Sequence, residues 1–158
     1  MGVYNQKTIG INGYGGKTMK AITIWQPWAQ AIATGLKSIE TRSWYTDYRG
    51  PIAIHAAKKP INQIKGKTLM TRNAFDLLQQ YFDFDDLPLG MVICTARLAD
   101  CIKISANTVL GLGLNEFLLG DYTHGRYAWV LDNVKQIEPV PATGKQRLWD
   151  WKEGEKDD

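Results

Sequence analysis

Residues 20–45 decide the fold and read KAITIWQPWAQAIATGLKSIETRSWY. The first segment, 20–25, predicts a strand. A short helix from Pro27 to Thr34 is expected next, because proline suits the first helical position and Gly35 suits the C-terminal cap. Residues 38–45 alternate between apolar and polar side chains and predict a second strand. The folded part of the chain therefore begins as strand, helix and strand.

The rest of the chain adds more strands and one longer helix. A turn at 49–51 precedes a strand at 52–56, and the apolar periodicity over 68–82 predicts an amphipathic helix. Three further strands are expected at 90–98, 126–132 and 134–139, followed by a loop over 141–149, whereas 105–125 is undecided because glycines interrupt its leucines. We predict the α+β class, with a small β-barrel or strongly curved sheet of about six strands flanked by two or three helices.

The composition is that of an ordinary globular domain, with 44% hydrophobic and 22% charged residues and a net charge of +3. No apolar run approaches the roughly 18 residues that a membrane span requires. Cys94 and Cys101 form no CxxC pair, so a cytoplasmic protein with reduced thiols is expected. His55 and His124 have no further Cys or His at ligand spacing, and we expect neither a metal nor a cofactor.

Glycine and charge divide the chain into three parts. Residues 1–18 contain several glycines and no acid and predict a flexible N-terminal extension, 19–152 form the domain, and 153–158 form an acidic tail. Between residues 48 and 75 the chain carries basic side chains and no acid. This run is either a basic face suited to phosphate or an ordinary solvated surface.

The segment from Gly35 to Trp44 is the most informative about function. On a strand, Glu40, Arg42 and Trp44 share one face, and Lys37 in the preceding turn is close enough to lean over it. A carboxylate between two cations can accept a base N–H while the cations contact phosphate. From the spacing alone, an exposed Glu–Arg ion pair is the simpler interpretation.

Aromatic and basic residues elsewhere complete a candidate binding surface. Trp25 and Trp28 surround a helix start, where rings beside cations suit stacking of an unpaired base, although at least one of them is expected in the core. The basic, glycine-containing loop before Trp149 is a plausible second wall of a cleft. His55 is more simply a satisfied histidine on a sheet than a catalytic one. The candidate nucleic-acid-binding residues are Trp25, Gln26, Trp28, Lys37, Glu40, Arg42, His55, Lys145, Arg147 and Trp149.

Taken in order, five segments resemble the ASCH domain family of the PUA-like superfamily. The segments are Ile24-Trp-Gln-Pro27-Trp-Ala, Gly35-x-Lys37-x-x-Glu40-x-Arg42, Tyr48-Arg-Gly-Pro51-Ile-Ala-Ile-His55, Gly120-Asp-Tyr-x-x-Gly125-Arg-Tyr-Ala-Trp129 and Gly144-Lys-Gln-x-Leu-Trp149. The resemblance implies a six-stranded barrel and a cleft lined by the Lys-Glu-Arg motif. It also implies binding of RNA or another single-stranded nucleic acid, or of a modified nucleoside whose base is held in a pocket.

The resemblance leaves an enzymatic alternative open at the same cleft. One branch of the family hydrolyses N4-acetylcytidine with a motif of the form Gly-x-Lys-x-x-Thr-x-Arg, whereas here Glu40 stands at the nucleophile position. Thr41 is one residue away and on the opposite face of the strand. A metal-independent ribonuclease needs no threonine, and there Lys37 and Arg42 would stabilise a phosphorane while Glu40 or His55 moves protons.

Overall fold

The computed structural model describes residues 16–64 and 68–154. Most of the expected N-terminal extension and acidic tail therefore lie outside the described residues. The strands are β1 (Thr18–Ile24), β2 (Ile39–Arg42), β3 (Gly50–Ala56), β4 (Met91–Lys103), β5 (Tyr127–Pro141) and β6 (Trp149–Lys152). The α-helices are α1 (Trp28–Ala33), α2 (Leu69–Leu78), α3 (Ala106–Leu110) and α4 (Leu114–Leu118), and short 3-10 turns lie at Ile61–Gln63 and Phe84–Asp86.

The strands form one six-stranded mixed sheet in the order β2-β5-β4-β3-β1-β6. Only the pair β1–β3 is parallel, and its connection passes through α1 and β2. The α+β class is confirmed. The small barrel or strongly curved sheet of about six strands is also confirmed, and the sheet is left open because no pairing joins the edge strands β2 and β6 within residues 16–64 and 68–154. Register shifts along β3–β4 and β4–β5 mark the β-bulges that bend the long strands.

Several elements differ from the sequence-based expectation, among them β4, which continues to Lys103 instead of ending at 98. The strands expected at 126–132 and 134–139 are the single strand β5, because Asn133 takes a positive φ of 50° within the ladder without ending it. The sixth strand is instead β6, which begins where a loop was expected to end and pairs with β1. The undecided stretch 105–125 contains α3 and α4.

A buried apolar core lies between the sheet and α1. Ile22 and Ile24 of β1, Ile32 of α1 and Ile54 of β3 belong to its main cluster, together with the fully buried Trp129. Four of the six α1 residues are buried, so the helix is fixed by packing and not by its length. In the described part of the chain, no helix has the length and apolar character needed to cross a membrane.

The loop between β5 and β6 is held against the sheet by a glycine. A Cβ atom at Gly144 would lie 2.5 Å from His55 Cε1 and 2.8 Å from Thr23 Oγ1, so only a residue without a side chain fits. The His55 Nε2 lies 2.8 Å from the carbonyl oxygen of Ala142 and fixes the start of the same loop. Trp149 ends it, with its Nε1 donating to Thr23 Oγ1 at 3.3 Å.

We expect Gly144→Ala to lower the free energy of unfolding by about 1–3 kcal/mol, because His55 or the loop has to move. Urea denaturation measures the change. Gly111→Ala is the matched control, since the nearest atom to a Cβ there is at an ordinary 3.6 Å, and it should change stability by less than about 0.5 kcal/mol. Equal effects of the two substitutions would contradict this account of the loop.

Candidate functional site

A cleft of about 400 Å³ opens where β1 and β2 end, a size in the range of small-ligand sites. Its walls also include part of α2 and the segment between α4 and β5. The lining residues are Thr23, Ile24, Trp25, Trp28, Lys37, Glu40, Thr41, Arg42, Ser43, Trp44, Met70, Thr71, Leu119, Gly120, Asp121 and Arg126. The sequence motif Lys37, Glu40 and Arg42 is thus brought together with three tryptophans.

Lys37 reaches the base of the cleft because the chain reverses sharply after α1. Gly35 has a φ of 81°, a left-handed conformation that favours glycine, and the Lys37 amide then donates to the Ala31 carbonyl at 3.0 Å. The Lys37 residue is only 1% exposed. Its Nζ donates to the carbonyl oxygen of Ile39. Lys37 thus lines the same cleft as Glu40 and Arg42, and its side chain is buried.

Glu116 of α4 is the principal residue that sequence reasoning missed. Its carboxylate accepts hydrogen bonds from the Ser38 amide at 2.9 Å, the Ser38 hydroxyl at 3.0 Å and the Ile39 amide at 3.0 Å. One carboxylate oxygen lies 3.9 Å from Lys37 Nζ. Glu116 thus fixes the turn before β2 and supplies negative charge to the buried ammonium.

The surroundings of Lys37 favour its neutral form. Burial lowers the pKa of Lys37, the carboxylates of Glu40 and Glu116 raise it in part, and the nearby Arg42 guanidinium lowers it further. The net result is a pKa below the ordinary lysine value of 10.5. A lysine of this kind in a cleft is typical of functional sites.

Glu40 and Arg42 lie side by side on the cleft wall. The Glu40 side chain is 13% exposed, and its carboxylate lies 3.4 Å from Arg42 Nε without hydrogen-bond geometry. Arg42 is oriented by a hydrogen bond from its Nη2 to the carbonyl oxygen of Thr23 at 2.8 Å. Among the described residues none donates a hydrogen bond to the Glu40 carboxylate. Glu40 therefore retains its acceptor capacity on the cleft side.

A second acid–base pair, Asp121 and Arg126, completes the polar lining. The Arg126 Nε lies 3.4 Å from the Asp121 carboxylate. Burial raises the pKa of Asp121, but hydrogen bonds from Thr123 and the charge of Arg126 outweigh it, so the pKa lies below its usual value. The Thr41 hydroxyl accepts a hydrogen bond from the Asp121 amide at 3.1 Å. Both residues lie in the segment from Gly120 to Trp129, whose resemblance to the family predicted no role for either of them.

The three tryptophans of the cleft differ in exposure. Trp25 is 45% exposed at the mouth. Trp28 packs edge-on against Phe75 of α2 with ring centroids 5.7 Å apart, and Trp44 packs edge-on against Trp129 at 4.6 Å. Trp28 and Trp44 are therefore anchored to the core while part of each lines the cleft.

Some of the predicted binding residues do not line the cleft. Gln26 is fully buried, and its side chain accepts from the Gln30 amide and donates to the Pro88 carbonyl oxygen. His55 is 1% exposed, and its ring meets the buried Trp149 edge-on at 5.7 Å. Gln26, His55 and Trp149 therefore pack behind the residues that line the cleft.

Lys145 and Arg147 are exposed in the loop between β5 and β6. The Lys145 Nζ is 6.0 Å from the Trp149 ring centroid. Arg147 lies over the ring of Trp44, with its Cζ 5.1 Å from the ring centroid. Arg147 therefore lies beside the cleft, because the Trp44 ring that it covers belongs to the cleft lining. No group of three His, Cys, Asp or Glu side chains arranged to hold a metal occurs in residues 16–64 and 68–154.

The fold and this cleft define the chain as an ASCH domain. The family model described as "ASCH domain" matches residues 22–141, and the chain belongs to that family. The crystal structure of ASCH from Zymomonas mobilis has a TM-score of 0.52 at 18% identity, covering 85% of this chain and 87% of that one. The S128A mutant of ZmASCH from the same organism gives a TM-score of 0.51 at 18% identity, covering 85% and 88%. At these identities the likeness concerns the fold alone.

Two curated relatives match a part of the chain. Activating signal cointegrator 1 of Homo sapiens is 35% identical over 83 residues, which are 52% of this chain and 14% of that protein. The Mus musculus protein of the same name is 33% identical over 83 residues, with the same shares. The matched segment thus spans a small part of either relative.

We expect Lys37→Met to lower the free energy of unfolding at pH 7 by about 3 kcal/mol, because the Glu116 carboxylate and the Ile39 carbonyl oxygen lose the ammonium that they contact inside the protein. The folded-state pKa of Lys37 is lowered, so the unfolded chain binds this proton more readily than the folded chain does. Lys37 therefore makes wild type gain stability as the pH rises through the folded-state pKa towards 10.5, and Lys37→Met lacks this gain.

Urea denaturation of both proteins at pH 7, 9 and 10.5 checks this expectation. Wild type should be more stable than Lys37→Met at pH 7, and the difference should grow as the pH rises. A variant as stable as wild type at pH 7, or a difference independent of pH, would contradict the assignment of a buried ammonium with compensating partners.

Proposed function

We propose that this ASCH domain binds single-stranded RNA by taking one unpaired base into the cleft. The observation that carries the proposal is the Glu40 carboxylate, which lines the cleft, is mostly buried and accepts no hydrogen bond from the described residues. The carboxylate is open to the cleft, where a base N–H group can donate a hydrogen bond to it. The aromatic rings around it offer stacking faces, which are the usual means of holding an unpaired base.

The positive groups of the cleft favour a ligand that carries phosphate. Arg42 and Arg126 both line it, and each is partly exposed. Lys37 contributes in a different way from that expected for a surface lysine, because its ammonium is buried and bonded to Ile39. The charge of Lys37 therefore acts on Glu40 from inside the protein. The two arginines are the groups that can contact phosphate or base oxygen atoms.

We expect Glu40→Gln to weaken binding of a mixed-sequence RNA hexanucleotide by about five- to tenfold, because a hydrogen bond to a charged acceptor, worth about 1.5–3 kcal/mol, becomes a neutral one worth about 0.5–1.5 kcal/mol. Fluorescence anisotropy at fixed salt concentration measures the affinity. Glu138→Gln is the matched control, since Glu138 is exposed on β5, away from the cleft lining. Thermal melting of both variants verifies that the fold is kept.

Unchanged affinity in Glu40→Gln, or an equal loss in Glu138→Gln, would remove the cleft as the RNA site. The salt dependence gives a second criterion. Loss of one basic side chain that contacts phosphate reduces the magnitude of the slope of log affinity against log salt concentration by about one. Arg42→Ala should therefore flatten the slope, whereas Arg97→Ala should not, because Arg97 is 58% exposed and pairs with Asp132 outside the cleft.

A second candidate is a hydrolase that acts at the same cleft, either a metal-independent ribonuclease or an amidohydrolase acting on a nucleoside such as N4-acetylcytidine. The observation that favours it is Lys37, whose pKa burial lowers and which lines the cleft. A lysine of lowered pKa gives up its proton more readily than an ordinary lysine and can act as a general base. The Thr41 hydroxyl already bonds the Asp121 amide, which gives a threonine nucleophile little support.

Mass spectrometry of the pure protein incubated with single-stranded RNA and with N4-acetylcytidine distinguishes the two functions. Product that forms in the presence of a chelator and disappears in Lys37→Met would establish the hydrolase. Intact substrates together with RNA binding that weakens as salt is raised would leave the binding function as the account of the site.

A further inference from the structure

Two tryptophan rings of the cleft each carry a cation on one face. The Lys59 Nζ lies 4.2 Å from the centroid of the Trp25 ring, and the Arg147 Cζ lies 5.1 Å from the centroid of the Trp44 ring. Both rings line the cleft, and the two cations come from other segments, after β3 and before β6. Trp25 with Lys59 forms the first ledge, and Trp44 with Arg147 forms the second ledge.

The ledge cations remain available for a further charge. The ion pairs of the described residues are formed by other cations, which are Lys20, Lys37, Arg42, Arg49, Arg97 and Arg126. Lys59 and Arg147 are thus ordered beside aromatic rings without a carboxylate partner in that set. A ring with an unneutralised cation next to it suits one nucleotide, because the ring stacks the base and the cation meets the phosphate.

The backbone at Arg147 gives an independent indication that this side chain is held in place. Arg147 has a φ of 59°, a left-handed conformation that is unfavourable for a residue with a Cβ atom. The loop is fixed at both ends, by His55 against Ala142 and by Trp149 against Thr23. A strained residue persists where the surrounding structure imposes its conformation, and such residues concentrate at ligand sites.

From this arrangement we propose that the ligand is an RNA strand of at least three nucleotides and not a free nucleoside. The central base enters the cleft, and its two neighbours lie on the first and second ledges. This inference rests on the proposed function and adds to it the length of the ligand and the residues that hold its flanks. Lys59 and Arg147 bind the phosphates on either side of the central nucleotide.

A base that stacks on the face of Trp25 covered by Lys59 displaces the ammonium from that face. Stacking of a base on an aromatic side chain strengthens binding by about 5- to 150-fold. A cation on an exposed ring is worth only about two- to fivefold. The base therefore takes the ring, and the released ammonium stays beside it, where the phosphate of the same nucleotide lies.

The test compares ligand length and ledge charge in the full chain. Calorimetric titration gives the affinities of each of the four ribonucleosides and of a randomised RNA trinucleotide for wild type, Lys59→Ala, Arg147→Gly and the combined variant. Lys135→Ala is the matched control, since Lys135 is exposed on β5 and does not line the cleft. Arg147→Gly should melt no lower than wild type, because glycine relieves the positive φ.

We expect wild type and Lys135→Ala to bind the trinucleotide at least about tenfold more tightly than the best ribonucleoside. In the combined variant this ratio should fall by about fivefold or more, because both phosphate contacts are lost while the rings of Trp25 and Trp44 can still stack. If a ribonucleoside bound wild type as tightly as the trinucleotide, the claim that the two ledges hold flanking nucleotides would be overturned, and the proposed function would stand. Binding of neither ligand would overturn the proposed function itself.

Discussion

The buried ammonium group of Lys37 is the constraint on which the site depends. A cation removed from water has to be compensated, and three groups do so: the Ile39 carbonyl oxygen, the Glu116 carboxylate and, from the cleft side, Glu40. Glu116 also bonds the backbone of the turn before β2, so charge compensation and chain direction are fixed by the same contact. Because Glu116 takes the hydrogen bonds of that turn, Glu40 is left with its acceptor capacity in the cleft.

The walls around this base are stabilised from behind by side chains that do not touch the cleft. His55 holds the start of the loop between β5 and β6, and Gly144 lets that loop approach the sheet closely. The loop in turn orients Arg147 over Trp44. Aromatic rings fixed against the core, with cations beside them and a carboxylate below, give a surface that complements a nucleotide strand. The groups that the proposed function needs are thus held in place by the same packing that forms the core.

Local sequence patterns were sufficient to predict the strands and the helix of residues 20–45, but they could not predict contacts between distant segments. Periodicity and a capping glycine predict β1, α1 and β2, and with them the grouping of Lys37, Glu40 and Arg42. The role of Glu116 could not be predicted, because it bonds Ser38 across 78 positions from a stretch whose glycines obscured its helices. Gln26 was expected in the cleft because it adjoins Trp25 in sequence, yet its amide finds partners inside the protein. The single strand β5 was divided at Asn133, whose positive φ interrupts the pattern but not the ladder.

The central claim is that an unpaired RNA base enters the cleft, and the indole N–H signals of the tryptophans test it most directly. A proton–nitrogen correlation spectrum recorded during titration with an RNA hexanucleotide reports on each ring separately. The account predicts that the signals of Trp25, Trp28 and Trp44, which line the cleft, shift as the RNA saturates. That of Trp151, which is 3% exposed and does not line the cleft, should stay in place. Saturation without a shift at the three cleft tryptophans would contradict the claim.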